Sequence, residues 1–94
     1  MKHFIASAFW EEYRALGPKT QKTVTRKIEM LRRNSRHPSL QLCRAGKFWT
    51  ARVSNNYRIL GRPKNDDIIW GWVGPHDKYM EMLKSQQADW TIGY

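Results

Sequence analysis

Three runs rich in β-branched and aromatic residues, Phe48 to Val53, Tyr57 to Arg62 and Ile68 to Val73, follow one another in the second half of the chain, divided by Ser-Asn-Asn and by Pro-Lys-Asn-Asp-Asp. Apolar runs separated by turn residues predict a β-meander. If Ser54, Asn55 and Asn56 close a three-residue hairpin, Val53 faces Tyr57, Arg52 faces Arg58, Ala51 faces Ile59 and Thr50 faces Leu60. Alternation then collects Trp49, Ala51, Val53, Tyr57 and Ile59 on one face, which reads as core. The other face collects Phe48, Thr50, Arg52, Arg58, Leu60 and Arg62. A five-residue second loop, counted the same way, places Trp72 beside Arg58 and Val73 beside Tyr57. A slip of one residue would exchange the two faces.

Upstream, His3 to Ile5 reads as a short strand, and Ser7 stands where a helix N-cap would. Phe9, Trp10, Tyr13 and Leu16 then form one helical stripe. Gly17-Pro18 ends that helix and starts a second, about Lys19 to Arg33, with Val24, Ile28 and Leu31 at i, i+4 and i+7. The rest of its surface carries Lys19, Lys22, Arg26, Lys27, Arg32 and Arg33, which reads as a solvated face. Asn34 to Ser39 is a loop turning at His37-Pro38, and His3 and His37 are both expected to be exposed. Leu40 to Arg44 reads as a further strand, turned by Ala45-Gly46 into Phe48. After the meander, Lys78 to about Lys84 reads as a short helix with Asp77 as its N-cap and Tyr79, Met82 and Leu83 on one side. The tail from Ser85 to Tyr94, with Trp90 and Tyr94, has no clear period and is expected to dock on the domain or on a partner. One α+β domain spanning residues 1–94 follows, an antiparallel meander packed on an N-terminal helical hairpin in the order β-α-α-β-β-β with a short C-terminal helix.

Charge sharpens this picture. Seventeen Lys and Arg stand against eight Asp and Glu, a formal net charge of +9 on 94 residues. So large a charge points first to nucleic acid, then to an acidic protein, then to a membrane surface as the partner. Cys43 is the only cysteine, which excludes an internal disulfide and fits a reducing compartment; it reads as a small buried hydrophobe. No apolar run approaches the ~20 residues of a membrane span and no signal peptide is evident, so the expected location is the cytoplasm, with no membrane partner. Internal repeats, metal-ligand spacings and glycine-rich phosphate loops are all absent from the sequence.

Two arginines directly across a strand pair repel unless something anionic lies between them. His76, Asp77 and Tyr79 follow the third run and arrive at the same end of the sheet, so an imidazole and a phenol fall near Arg52 and Arg58. The bland alternatives remain: guanidiniums splayed into water, His76 bonded to backbone at a helix start, Tyr79 as a core anchor, and the tryptophans as core.

The run Trp49-Thr50-Ala51-Arg52-Val53 leading to Asn56-Tyr57-Arg58-Ile59-Leu60, and Trp72-Val73-Gly74 followed by His76-Asp77-Lys78-Tyr79, resemble the RelE/ParE superfamily of bacterial toxins from Phe4 to about Leu83. The resemblance implies the toxin half of a type II toxin–antitoxin module. RelE-like members cut mRNA, commonly on the ribosome and without a metal or other cofactor, whereas ParE-like members poison DNA gyrase. In both branches a cognate antitoxin wraps the toxin. The resemblance carries family roles onto Arg58, Arg52, Tyr79 and His76.

Metal-free RNA cleavage asks the substrate's 2′-hydroxyl to attack the adjacent phosphate. A base takes the hydroxyl proton, an acid protonates the leaving 5′-oxygen, and cations hold the extra charge of the transition state. Histidine suits the proton transfers and arginine the phosphate oxygens. Arg52 and Arg58 are thus assigned to the phosphate, His76 to general acid or base, and Tyr79 to a proton or positioning role. Lys47 and Arg62 become outer phosphate contacts, and Trp70 or Trp72 a stacking surface for an unpaired base. A gyrase-binding toxin and a non-catalytic basic domain that binds RNA or protein stay open beside the ribonuclease.

Overall fold

The computed structural model describes residues 1–85; the remainder of the tail, 86–94, with Trp90 and Tyr94, lies outside them. A short strand β1 (His3–Ile5) precedes helices α1 (Ser7–Arg14) and α2 (Pro18–Arg33). A 3-10 turn (Pro38–Leu40) then leads to strands β2 (Cys43–Ala45), β3 (Phe48–Arg52), β4 (Tyr57–Lys64) and β5 (Asp67–Pro75), and helix α3 (His76–Ser85) follows. The strands form one sheet in the order β1-β5-β4-β3-β2. The expected antiparallel meander covers β2 to β5, and β1 is added at the edge parallel to β5, so the sheet is mixed.

Local chemistry explains the boundaries. Pro18 occupies the first turn of α2, where its missing N–H costs nothing, and extended Gly17 caps it. Ser7, expected as the cap of α1, is instead its first residue. The Ala6 N–H donates to Trp70 O at 2.8 Å, which extends the β1 pairing by one residue, and extended Ala6 takes the cap position, so the helix starts one residue earlier than a Ser7 cap would set it. The expected strand from Leu40 shortens to Cys43–Ala45 because Leu40 belongs to the 3-10 turn, where His37 Nδ1 accepts the Ser39 N–H. Cys43 is exposed rather than buried: β2 is a sheet edge, and the thiol lies 3.4 Å from Thr50 Oγ1.

The first hairpin has the register read from the sequence, Arg52 opposite Arg58 and Thr50 opposite Leu60. The second differs. Its loop is two residues, Asn65 and Asp66, with Lys64 paired to Asp67 and Asn65 in the left-handed region at φ 55°. Pro63, which looked like a loop residue, is in the strand. Ile68 opposite it donates its N–H to Lys2 O, so Pro63 occupies a rung with no ladder bond to lose. Gly61 pairs with Trp70 and Leu60 with Trp72, leaving Gly71 as a one-residue bulge. Near the first loop the partner of Arg58 is therefore Gly74, and that of Tyr57 is Pro75.

The bulge lets β5 feed two cores. Ile68, Trp70 and Val73 join Phe9, Val24, Ile28, Leu31, Ala51, Val53 and Ile59 under the helical hairpin. On the opposite face Phe48, Leu60 and Trp72 pack beneath Tyr79, Met82 and Leu83 of α3. His3, expected at the surface, is buried at 6% exposure, and its Nδ1 accepts the Trp70 indole N–H at 3.0 Å. That bond requires a neutral ring. Burial lowers the imidazole pKa from its ordinary value, helped by the Met1 amino group and Arg32 and opposed by Asp67. A base with a lowered folded-state pKa contributes stability that is complete above the unfolded value near 6.5 and is lost as pH falls below it. Thermal unfolding from pH 7.5 to 4.5 is expected to show a decline on the acid side, at most ~1.4 kcal/mol per pH unit from this one proton. His3→Gln, which keeps an acceptor but cannot charge, is expected to make that decline shallower; an identical slope would remove His3 as its source.

Candidate functional site

The three residues that close the β3–β4 hairpin build the site. Arg58 turns its guanidinium back over the loop, and Nη1 donates to the carbonyls of Ser54 at 2.5 Å, Tyr57 at 3.0 Å and Asn55 at 3.4 Å. Arg52, on the facing rung, donates from Nη2 to the Asn55 side-chain oxygen. The partial negative charge of the loop's oxygens thus offsets part of the repulsion between two cations on one rung. Neither arginine pairs with a carboxylate among the described residues. All the described hydrogen bonds of Arg58 run through Nη1, so Nε and Nη2 keep donors for a ligand.

The other half of the site arrives from β5. The Asn56 carbonyl accepts the His76 N–H at 2.8 Å, which ties the loop to the first residue of α3. The His76 ring is exposed and lies 5.5 Å from the Tyr79 ring, centroid to centroid, at a tilt of 44°. Tyr79 is half-buried, with its body against Phe48, Leu60 and Trp72. Asp77 lies inside the first turn of α3 instead of capping it, where its charge still complements the helix dipole.

Arg52, Arg58 and His76 therefore lie at one end of the sheet, with Tyr79 beside His76 on α3, but the remaining expected contacts do not join them. Trp72 is only 7% exposed, with Met82 and Leu83 of α3 packed on its cluster, and is core rather than an open stacking surface. Its indole lies across Gly74: a Cβ there would stand 2.7 Å from Cη2. Glycine opposite Arg58 is thus what lets the ring pass, so the indole leans toward the Arg58 rung although its own backbone partner is Leu60. Trp70 is fully buried beneath the other face. Arg62 lies four residues from Arg58 on the same face, about 13 Å along the strand. Lys47 stands at the β2–β3 turn at that distant end, its ammonium 5.8 Å from the Phe48 ring centroid.

The sequence places this loop but does not show its part in the site. Ser54 and Asn55 orient the arginines, and Asn56 anchors α3, all through oxygens that a search for charged side chains passes over. Among the described residues no group of three or more His, Cys, Asp and Glu side chains is placed to hold a metal ion. No described helix is long and apolar enough to cross a membrane.

No protein-family model and no curated protein sequence matches the chain. Solved structures do. The toxin–antitoxin complex RelB–RelE of Methanococcus jannaschii superposes with a TM-score of 0.61 at 22% identity, covering 83% of this chain and 95% of that one. A YoeB/ParE toxin from Agrobacterium tumefaciens gives 0.60 at 13% identity over 81% of this chain and 99% of its own. Free RelE of E. coli, in a doubly substituted form, gives 0.59 at 16% identity over 92% and 97%. With its helical hairpin on one face of a mixed five-stranded sheet and a terminal helix on the other, the chain has the RelE/ParE toxin fold.

Proposed function

We propose that this protein is the toxin of a type II toxin–antitoxin pair and that it inhibits translation by cutting RNA in the cytoplasm, with no resident metal. The observation that carries the reading is the Arg52–Arg58 rung, held by loop oxygens through Arg58 Nη1 and Arg52 Nη2, at the same end of the sheet as the exposed His76 ring and its neighbour Tyr79. The fold and the +9 charge support it. The arginines bind the non-bridging oxygens of one phosphate and stabilise the extra negative charge that develops there. His76 takes the proton of the adjacent 2′-hydroxyl or delivers one to the departing 5′-oxygen, and Tyr79 relays or positions that proton. The 2′-oxygen bonds to phosphorus as the 5′-oxygen leaves, giving a 2′,3′-cyclic phosphate and a 5′-hydroxyl. A cognate antitoxin, acidic enough to complement the charge, neutralises the toxin, and the mRNA is met free or on the ribosome.

Induced expression in a bacterial host, with growth, translation and mRNA integrity followed together, tests this. Wild type is expected to arrest growth with fragmented mRNA. His76→Ala is expected to slow cleavage by about 10²-fold or more and to abolish arrest. The fold should survive the change, because the contact to Asn56 is made by the backbone of residue 76 and not by its imidazole. Arrest with intact mRNA would indicate a ParE-like toxin that acts by binding gyrase, and absence of arrest a harmless basic domain on a toxin fold.

A further inference from the structure

The end of the sheet farthest from His76 gathers a second set of residues. β1 runs parallel to β5 and β4 antiparallel to it, so Phe4, Ile69 and Arg62 lie side by side on the face that carries α3. Lys64 follows on the same face two residues beyond Arg62, its ammonium 6.0 Å from the Phe4 ring centroid. Extending the β3–β4 register by one residue sets Phe48 beside Arg62, which brings Lys47 to this end as well. Ile69 is buried, yet Phe4 is 45% exposed, a large aromatic left open on a short edge strand among cations. Among the described residues, the β4–β5 turn brings two carboxylates to this end, Asp66 and Asp67, and Asp67 Oδ1 accepts the Lys2 N–H at 2.7 Å.

Resting on the ribonuclease reading, we infer that Phe4, Arg62, Lys64 and Lys47 form a second contact for the same single-stranded RNA, with a base stacked on Phe4 and phosphates on the three cations. An exposed ring flanked by cations is the arrangement that binds unpaired nucleic acid: the ring accepts any base face, and the cations take the backbone. Lys64 is six residues from Arg58, about 20 Å along β4. That spans about six nucleotides of a stacked strand at ~3.4 Å each, and fewer of an extended one. The contact therefore sets a minimum substrate length without taking part in the chemistry, and α3 lies between the two ends as a ridge over Phe48, Leu60 and Trp72.

Fluorescence anisotropy with uncleavable 2′-O-methyl oligonucleotides of 4 and 12 residues separates this inference from the ribonuclease reading, because it measures binding whether or not wild type cleaves. Phe4→Leu, which keeps an apolar side chain at a half-exposed position, is expected to weaken the 12-mer about fivefold or more and leave the 4-mer unchanged. Phe4→Trp is expected to preserve 12-mer binding. Lys64→Gln is expected to reduce the slope of log affinity against log salt by about 0.7 for the 12-mer alone. Equal 12-mer binding by Phe4→Leu and wild type would overturn the inference, whatever the cleavage assay shows. Equal loss on both lengths would overturn it too, since the residue would then act through the fold. Unchanged RNA binding with weakened binding of polyglutamate would assign the patch to an acidic protein instead.

Discussion

Arg58→Ala is expected to lower the rate of RNA cleavage by about 10²- to 10³-fold, the loss found when one donor is removed from a preorganised charge-stabilising set. The same guanidinium also closes the hairpin through three carbonyls, so the variant loses some loop order as well. Two measurements on one preparation separate the effects: the thermal midpoint and the cleavage rate at a temperature where the variant is folded. Arg58→Lys sharpens the comparison. It keeps a cation able to reach the loop carbonyls but lacks the planar fork, so it should regain stability before it regains rate. If folded Arg58→Ala cleaves at the wild-type rate, the rung binds no phosphate and the guanidinium is only the clasp of its loop.

That dual role shows how far the sequence reaches. The Arg52–Arg58 rung could be counted from the three-residue loop because the alternation on both sides of it is strict, and one face would otherwise bury charge. What the arginines do with their charge could not be counted, since backbone oxygens of Ser54, Asn55 and Tyr57 have no signature in residue type. The second hairpin was misread for a different reason. Pro63, Lys64 and Asp67 look like loop residues, but they fill the outer rungs of β4 and β5, and the Gly71 bulge is invisible to a two-residue period. Bulge and loop errors together amount to two residues at Arg58, so each side chain kept its face while Trp72 moved from the Arg58 rung to Leu60.

His3 carries the opposite lesson. Its alternation with Ile5 already placed it on the inner face of β1, and chemical type was allowed to override position. A neutral imidazole is tolerated there because Trp70 supplies a donor, although Nε2 has no partner within the described residues. Trp72, offered as a stacking surface with core as the alternative, is core, and the sequence does not say what covers the second face of the meander. The terminal helix answers that by making a second core on the face that would otherwise be solvent. The same helix brings His76 to the loop, so packing of the apolar face and assembly of the site are one event.

Trp70→Ala is expected to be the most damaging single core substitution, costing about 3–5 kcal/mol. That is a large share of the 5–15 kcal/mol that holds a typical domain, and in a chain of this size it lowers the thermal midpoint by roughly 15 °C or more. The reason is the position of the indole in the sheet. It is fully buried, it sits on the rung before the Gly71 bulge, and its N–H is the donor that His3 Nδ1 accepts. Gly61 across the rung is shaped to it: a Cβ there would lie 2.8 Å from the ring and 2.9 Å from the Ile69 carbonyl, so no neighbour can grow into the space without moving backbone. Trp70→Phe tests the two contributions separately, since it restores most of the volume but leaves both His3 nitrogens without a partner. Its loss should fall between wild type and alanine. An alanine variant melting within a few degrees of wild type would mean that the helical-hairpin core does not depend on this ring, and that the second core under α3 carries more of the fold than its size implies.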